Sequence, residues 1–319
     1  MICMHLTNTN AYFCLAAEEF LLKNFTDDIF MLWQSDDTVV LGKHQNALAE
    51  INYPFIREKN ITVARRISGG GTVFHDAGNV NFSYIRNVDS PAEISFKMFT
   101  EPVVEALARL GIEATTSGRN DLLINGLKVS GNAEHIYKNR VLHHGTLLFN
   151  SDLENLGQAI KVVPGKYQSK AVESNRSKVA NISSFLEQEM TVEEFTRFLL
   201  DVQLGNPANS FYALSDEDNF QIQELVEEKF STWKWNYGYS PKYSFKNKFE
   251  SENGNLQIEL KVNKGMMETV WLEGSLLDDD QLKKIMLELN GKEHRYEQIE
   301  SILKRQLKTV SPDIILAFF

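Results

Sequence analysis

The sequence predicts an α+β fold with a mixed or antiparallel sheet, and three observations carry that prediction. Strand-like runs are interspersed with helix-like ones and do not strictly alternate with them. An Asn125-Gly126 pair joins two short apolar runs, which is strong hairpin chemistry. Beyond Phe230 an aromatic, turn-rich stretch intervenes and the pattern restarts, so a second, smaller unit follows the first. At 319 residues the chain can bury a sizeable core and suits about two domains.

The elements follow in order. Residues 10–24 (NAYFCLAAEEFLLKN) place Phe13, Ala16, Ala17, Phe20 and Leu21 at helical spacing, which predicts an amphipathic first helix. IFMLWQ (29–34) and TVVLGK (38–43), joined by Ser35-Asp36-Asp37, read as paired strands with a polar turn. Residues 47–59 read as a helix that Pro54 breaks or starts late. ITVARRIS (61–68) is a strand ended by glycines, and VNFSYI (80–85) returns as another. Residues 95–110 read as a helix in which Pro102 marks a kink or a new start. IEATT, DLLI, LKVSG and VLHHGTLLF, between residues 112 and 150, read as short strands.

STWKWNYGYSPKY (231–243) is unsuited to a long helix or strand and reads as a linker. LQIELKVN and METVWLEGSL then read as strands, followed by helices at 278–290 and 296–307. This is a ββαα unit of about 80 residues, near the small end for independent folding. The expected domains are residues 1–236 and 241–319.

The charge balance is acidic: 33 Lys+Arg against 43 Asp+Glu gives −10. Such a field repels nucleic acid and anionic lipid, so neither is an expected partner. An anionic substrate must therefore be met by a local basic cluster. The start, MICMHLTNTN, lacks a basic n-region and an apolar core, and no run approaches the roughly 20 apolar residues of a membrane span. Two cysteines, Cys3 and Cys14, supply neither a disulfide framework nor a four-ligand zinc site. The expected compartment is the reducing cytoplasm.

Three constellations carry chemistry. The first is Arg65-Arg66-Ile67-Ser68-Gly69-Gly70-Gly71-Thr72-Val73-Phe74-His75-Asp76. Consecutive glycines admit φ > 0 and a close ligand approach, and their N–H groups can form an anion-binding concavity. The segment matches neither the P-loop nor the dinucleotide glycine template. A glycine hairpin with two solvent-facing arginines is the alternative reading. The second is Gly118-Arg119-Asn120-Asp121 with Leu127 to Ala133, where strand alternation turns Lys128 away from Leu127 and Val129. Lys128 is either a fixed cation for a phosphate or oxyanion or a solvated strand lysine.

The third is residues 161–178, KVVPGKYQSKAVESNRSK. Lys161, Lys166, Lys170, Arg176 and Lys178 outnumber Glu173 by five to one there, a surplus of +4. It reads as a mobile loop, either a lid over a polyanion or a solvated face. His143 and His144 alternate to opposite strand faces, no compact zinc motif exists, and no nucleophile elbow appears.

Taken together, RRISGGGTVFHD, NVNFSYI, GRNDLLINGLKVSGNAEHI, HHGTLLFNSDL and SKAVESNRSKVANI resemble the lipoate–protein ligase family. AAEEF, TVVLGKHQN and FSTWKWNYGYSP extend the resemblance over most of the chain. It implies a large mixed-sheet catalytic domain of the biotin/lipoate ligase type with a small α/β C-terminal domain. It further implies ATP, Mg²⁺ and free lipoate as reactants, a lipoyl-AMP intermediate, and transfer to a lysine of apo carrier domains. Those carriers are the acyltransferase subunits of 2-oxoacid dehydrogenases and the glycine-cleavage H protein, met by a monomer.

By residue, the resemblance places Lys128 as the central catalytic lysine. Arg66, Ser68, Gly70, Gly71, Thr72, Val73, Phe74 and His75 fall in the lipoate- and nucleotide-binding loop. Asp121, Ala133, His144 and Lys178 are further binding positions, Trp33 and His144 falling where the family lines its acyl tunnel; Asp121 is either a metal ligand or a structural turn residue. An octanoyl or lipoyl transferase of the same fold would need a site cysteine. A non-catalytic carrier-binding or lipoate-sensing protein is the rival from another class.

Overall fold

The computed structural model describes residues 1–90, 94–118, 120–175 and 177–319. These form two compact units. One comprises Met1–Lys43, Thr62–Gly157 and Ser174–Thr232; the other comprises His44–Ile61, Gln158–Glu173 and Trp233–Phe319. Arg119 and Arg176 lie outside the described residues.

The strands are β1 (Ile2–His5), β2 (Ile29–Trp33), β3 (Thr38–Leu41), β4 (Thr62–Arg65), β5 (Val73–His75), β6 (Asn79–Asn87), β7 (Thr115–Ser117) and β8 (Asp121–Ile124). They continue with β9 (Leu127–Tyr137), β10 (Arg140–Leu148), β11 (Tyr167–Ser169), β12 (Ser210–Phe211), β13 (Tyr243–Ser251), β14 (Gly254–Asn263) and β15 (Met266–Glu273).

In the first unit eight strands form a mixed sheet in the order β12-β1-β2-β6-β10-β9-β8-β7. The β1 pairings to β2 and β12 are parallel, whereas β6, β10, β9 and β8 run antiparallel to their neighbours. One face packs Phe82, Tyr84, Val141 and Leu147 against Phe99 and Val103 of the helix Phe96–Arg109 and Phe195 and Leu199 of the helix Val192–Leu204. Burying such side chains contributes about 1.5–3 kcal/mol each. The helix Ala11–Asn24 contacts β6, β10 and β4. Asn10 caps it by accepting the N–H groups of Tyr12 and Phe13, an effect of about 1 kcal/mol.

Alternation sends Asn81 and Ser83 of β6 away from the core that holds Phe82 and Tyr84. Opposite them on β10 stand Thr146 and His144. All four are buried. A strand face that is both polar and buried is where this unit places its chemistry.

The structure corrects several expectations. Strands β2 and β3 do not pair: β2 lies between β1 and β6, while β3 joins β4 and β5 in a separate three-stranded sheet. The four residues Gln34, Ser35, Asp36 and Asp37 carry the chain from one sheet to the other. Pro102 starts no new helix, because Phe96–Arg109 is continuous. Part of the segment expected to be a mobile loop is regular, since Tyr167–Ser169 pairs with β13. The expected ββαα unit is a four-stranded antiparallel sheet, β11-β13-β14-β15, with the helices Asp279–Leu289 and Tyr296–Gln306. The Asn125-Gly126 turn forms with φ of 50° and 78°, the left-handed pair that a two-residue hairpin requires.

Candidate functional site

The glycine loop is shaped from inside by Arg66. Its Nε donates to Ser68 Oγ at 2.9 Å, and its Nη2 donates to the carbonyls of Gly69 and Gly71, each at 2.7 Å. Nη1 reaches the carbonyl of Val40 at 3.2 Å. Gly70 sits in this clamp at φ +86°, where a Cβ would meet Arg66 Nη2 at 2.9 Å, so both conformation and space call for glycine. Burial lowers the Arg66 guanidinium to about 10 against the opposing influence of Glu18. Arg65 is also fully buried and donates to the carbonyls of Gly42 and Lys43. The alternative of two solvent-facing arginines does not hold.

Beneath the loop, His144 on β10 faces Ala133 on β9. His144 Nε2 and Ser68 Oγ are 2.6 Å apart. A Cβ on Gly70 would lie 3.7 Å from that of Ala133, so Arg66, Ser68, Gly70, Ala133 and His144 form one cluster. Val73, Phe74 and His75 leave it as β5, paired with β3. His75 packs edge-on to Trp33 at 5.3 Å, and burial, then the charge of Arg66, pushes it down to about 3. It is therefore a neutral imidazole at ordinary pH.

Lys128 is aimed by a bulge. Leu122 pairs with Ser130 and Leu123 with Lys128, so Val129 is the extra residue. Val129 enters the core, and the lysine folds back over Gly131 to place Nζ 2.8 Å from Asp121 Oδ1. The main chain of Lys128 is held on both sides: its N–H donates to the Lys178 carbonyl and its carbonyl accepts from Ala180 N–H. The same segment reaches the glycine loop, where Thr72 N–H donates to Ser174 Oγ at 2.8 Å. Ser174 thus touches the loop, and Lys178 and Ala180 the lysine strand. Lys178 contributes its carbonyl to this seam while its side chain is exposed. Lys166 is engaged elsewhere, donating to the Phe319 carbonyl.

Sequence reasoning missed Glu18 and Ser83. Glu18, fully buried on the first helix, accepts from His144 Nδ1 and from Ser83, which in turn accepts from Trp33 Nε1. The signal was present in AAEEF: a glutamate inside the apolar spacing of an amphipathic helix needs a buried partner. His143 points the other way, between Glu134 and Asn132.

Cys3 and Cys14 are both buried, and burial pushes the Cys14 thiol far up, which does not suit a nucleophile. Among the described residues no three His, Cys, Asp or Glu side chains gather to hold a metal. No helix among them is long and apolar enough to cross a membrane.

Residues 10–203 match the family model of the lipoyl protein ligase A/B catalytic domain, and residues 240–315 match that of the bacterial lipoate protein ligase C-terminus. The lipoate–protein ligase 1 of Staphylococcus aureus is 41% identical over 291 residues, covering 91% of this chain and 89% of that one. A bipartite lipoate protein ligase of Thermoplasma acidophilum, solved in a study with its E2 lipoyl domain, superposes with a TM-score of 0.64 at 27% identity. The match covers 74% of this chain and 96% of that one. A lipoate-protein ligase A bound with ATP also gives a TM-score of 0.64 at 26% identity, covering 74% and 98%.

Proposed function

The chain belongs to the lipoate–protein ligase family, and we propose that Lys128 and the Arg66-clamped glycine loop carry its ATP-dependent ligation of lipoate to protein. The carrying observation is the juxtaposition itself. Ser174 is bonded to Thr72 of the loop, and Lys178 and Ala180 are bonded to the main chain of Lys128, so a glycine-rich anion cradle and a positioned ammonium are braced by neighbouring residues.

The first half-reaction joins the lipoate carboxylate to the α-phosphorus of ATP and releases pyrophosphate. Phosphoryl transfer asks mainly for positioning and charge neutralisation. Lys128 Nζ supplies a cation whose strand cannot drift, and Arg66 acts from within by holding the loop carbonyls inward. In the second half-reaction an amine of the carrier lysine attacks the carboxyl carbon of lipoyl-AMP, and AMP departs. No thiol is required.

Mg²⁺ fits a site that offers one carboxylate beside the lysine, because that ion is commonly bound by one or two carboxylates together with substrate phosphates. Asp121 is the residue that would hold it, and the ion supplies neutralisation of phosphate charge. The carriers are apo acyltransferase subunits and the glycine-cleavage H protein, and a cytoplasmic monomer of catalytic residues 1–236 with an accessory part at 241–319 is the working form. The family-model matches at 10–203 and 240–315 support that division.

Intact-mass measurement of purified apo carriers after incubation with enzyme, lipoate, ATP and Mg²⁺ tests the reading. A carrier mass increased by one lipoyl group is expected. Lys128→Ala should remain folded and slow both half-reactions by roughly 10²–10³. Wild-type turnover by that variant would remove Lys128 from the mechanism.

A further inference from the structure

Glu18, Ser68 and His144 come from the first helix, the glycine loop and β10, yet their polar atoms form one unbroken chain. Its direction is dictated by groups that cannot reverse. A carboxylate only accepts, so the 2.8 Å and 2.9 Å contacts of Glu18 to His144 Nδ1 put a proton on Nδ1. A guanidinium only donates, so Arg66 Nε gives its hydrogen to Ser68 Oγ. The hydroxyl proton of Ser68 then points to His144 Nε2, 2.6 Å away.

From the other side, Trp33 Nε1 donates to Ser83 Oγ at 3.1 Å, and Ser83 donates to Glu18 Oε1 at 2.6 Å. Both strings end on the same carboxylate. The spacing is that of a serine–histidine–carboxylate triad, but Ser68 is fully buried and its oxygen receives the Arg66 hydrogen. Burial and that donated hydrogen do not suit a nucleophile, so we read the array as a support for the loop.

We propose that Glu18 is a positioning residue for the ligation reaction. By fixing which nitrogen of His144 carries hydrogen, it holds Ser68 as the acceptor of Arg66 Nε, and thereby sets the clamp on the Gly69 and Gly71 carbonyls. The inference rests on the ligase reading above. If Nε2 instead carried the hydrogen, the ring and Arg66 would both donate to Ser68 and the serine hydroxyl would lose its acceptor. Arg66 would keep its bonds to the Val40, Gly69 and Gly71 carbonyls, but Nε would share the serine oxygen with a second donor, which loosens the orientation of the clamp and of the loop it holds.

The test uses the full-length chain and two readouts. Histidine labelled with ¹⁵N reports the ring by NMR, with the His144 signal assigned by its loss in His144→Gln. The wild type should show hydrogen on Nδ1, and hydrogen on Nε2 alone would overturn the proposal. Kinetically, lipoate-dependent pyrophosphate release by Glu18→Leu should lose roughly 10²-fold in kcat/KM. Glu18→Gln keeps an acceptor oxygen and should stay within about 10-fold of wild type.

The decisive arm is Glu18→Leu made in a Ser68→Ala background, where the relay is already cut. There it should cost less than about 3-fold more, because coupled residues are not additive. Equal losses in both backgrounds would refute the relay. Should Glu18→Leu fail to fold, the Glu18→Gln and Ser68→Ala cycle and the wild-type ring spectrum decide. Absence of lipoate-dependent pyrophosphate release by wild type would overturn the ligase reading instead, leaving the ring spectrum to judge the relay.

Discussion

The two compact units each bury a histidine in a hydrogen-bonded chain, and the chains run in opposite senses. In the first unit His144 donates from Nδ1 to the Glu18 carboxylate and accepts at Nε2 from Ser68. In the second, His294 lies 2.6 Å from the Phe318 carbonyl through Nε2 and 2.7 Å from the Tyr243 hydroxyl through Nδ1. A carbonyl only accepts, so there Nε2 carries the hydrogen and Nδ1 takes the phenol proton. Phe319 stacks on that ring at 4.8 Å.

The surroundings explain the difference. His294 has no carboxylate partner in its hydrogen-bonded chain, and burial pushes it down to about 4 despite its bond to Phe318, so it is a neutral joint between β13 and the segment at Phe318. His144 links a buried carboxylate to a buried guanidinium. One histidine bonds the main-chain carbonyl of Phe318, whereas the other bonds, through Ser68, to the arginine that clamps the glycine loop. The residue type does not distinguish these two histidines; what each is bonded to does.

The contrast can be broken in order of effect. His144→Phe should lower carrier lipoylation by roughly 10²-fold while leaving the protein folded, as read by mass and circular dichroism. His294→Phe should do the reverse. It leaves a buried hydroxyl and a buried carbonyl without their partner and should cost about 4 kcal/mol in denaturant titration, with kcat/KM of the folded protein unchanged. A large loss of turnover in the second variant would erase the distinction.

Acid sharpens it further. The folded-state pKa of His294 lies below its ordinary 6.5, so the unfolded chain takes the proton first and stability falls as pH drops from about 6.5 towards about 4. The loss amounts to about 3 kcal/mol and should be seen as faster hydrogen exchange in peptides covering β13 and β14. The same sign holds for His75 in the first unit, continuing to about 3. His294→Phe should abolish the first component and keep the second. Smallest of all, Tyr243→Phe removes one hydrogen bond to a buried ring nitrogen and should cost about 1–2 kcal/mol, with the acid dependence retained.

Local signals were the legible ones. The Asn125-Gly126 turn needs only two residues able to take positive φ, and the first helix announces itself by its apolar spacing. Lys128 and the glycine run stood out because charge and glycine in strand-like surroundings need a reason. Pairing was harder, since β2 and β3 choose partners distant in sequence and the short polar connection between them looked like a hairpin turn. In Tyr243–Ser251 the alternation of Tyr243, Phe245 and Phe249 was visible but ran into an aromatic stretch read as a linker. Glu18 was hidden for another reason. Its partners sit at positions 83 and 144, and only the packing of a helix on a sheet unites them.

A regular strand offers a side chain two bearings, half a turn apart, and nothing between. The extra residue at Val129 gives Lys128 a third bearing, while hydrogen bonds on either side hold the strand in place. For anyone redesigning this enzyme, the length of that strand is therefore a control separate from the identity of the residues in it. Deleting Val129 would leave Lys128 opposite Leu123 in a regular ladder and remove the local bend that lays its side chain over Gly131 towards Asp121.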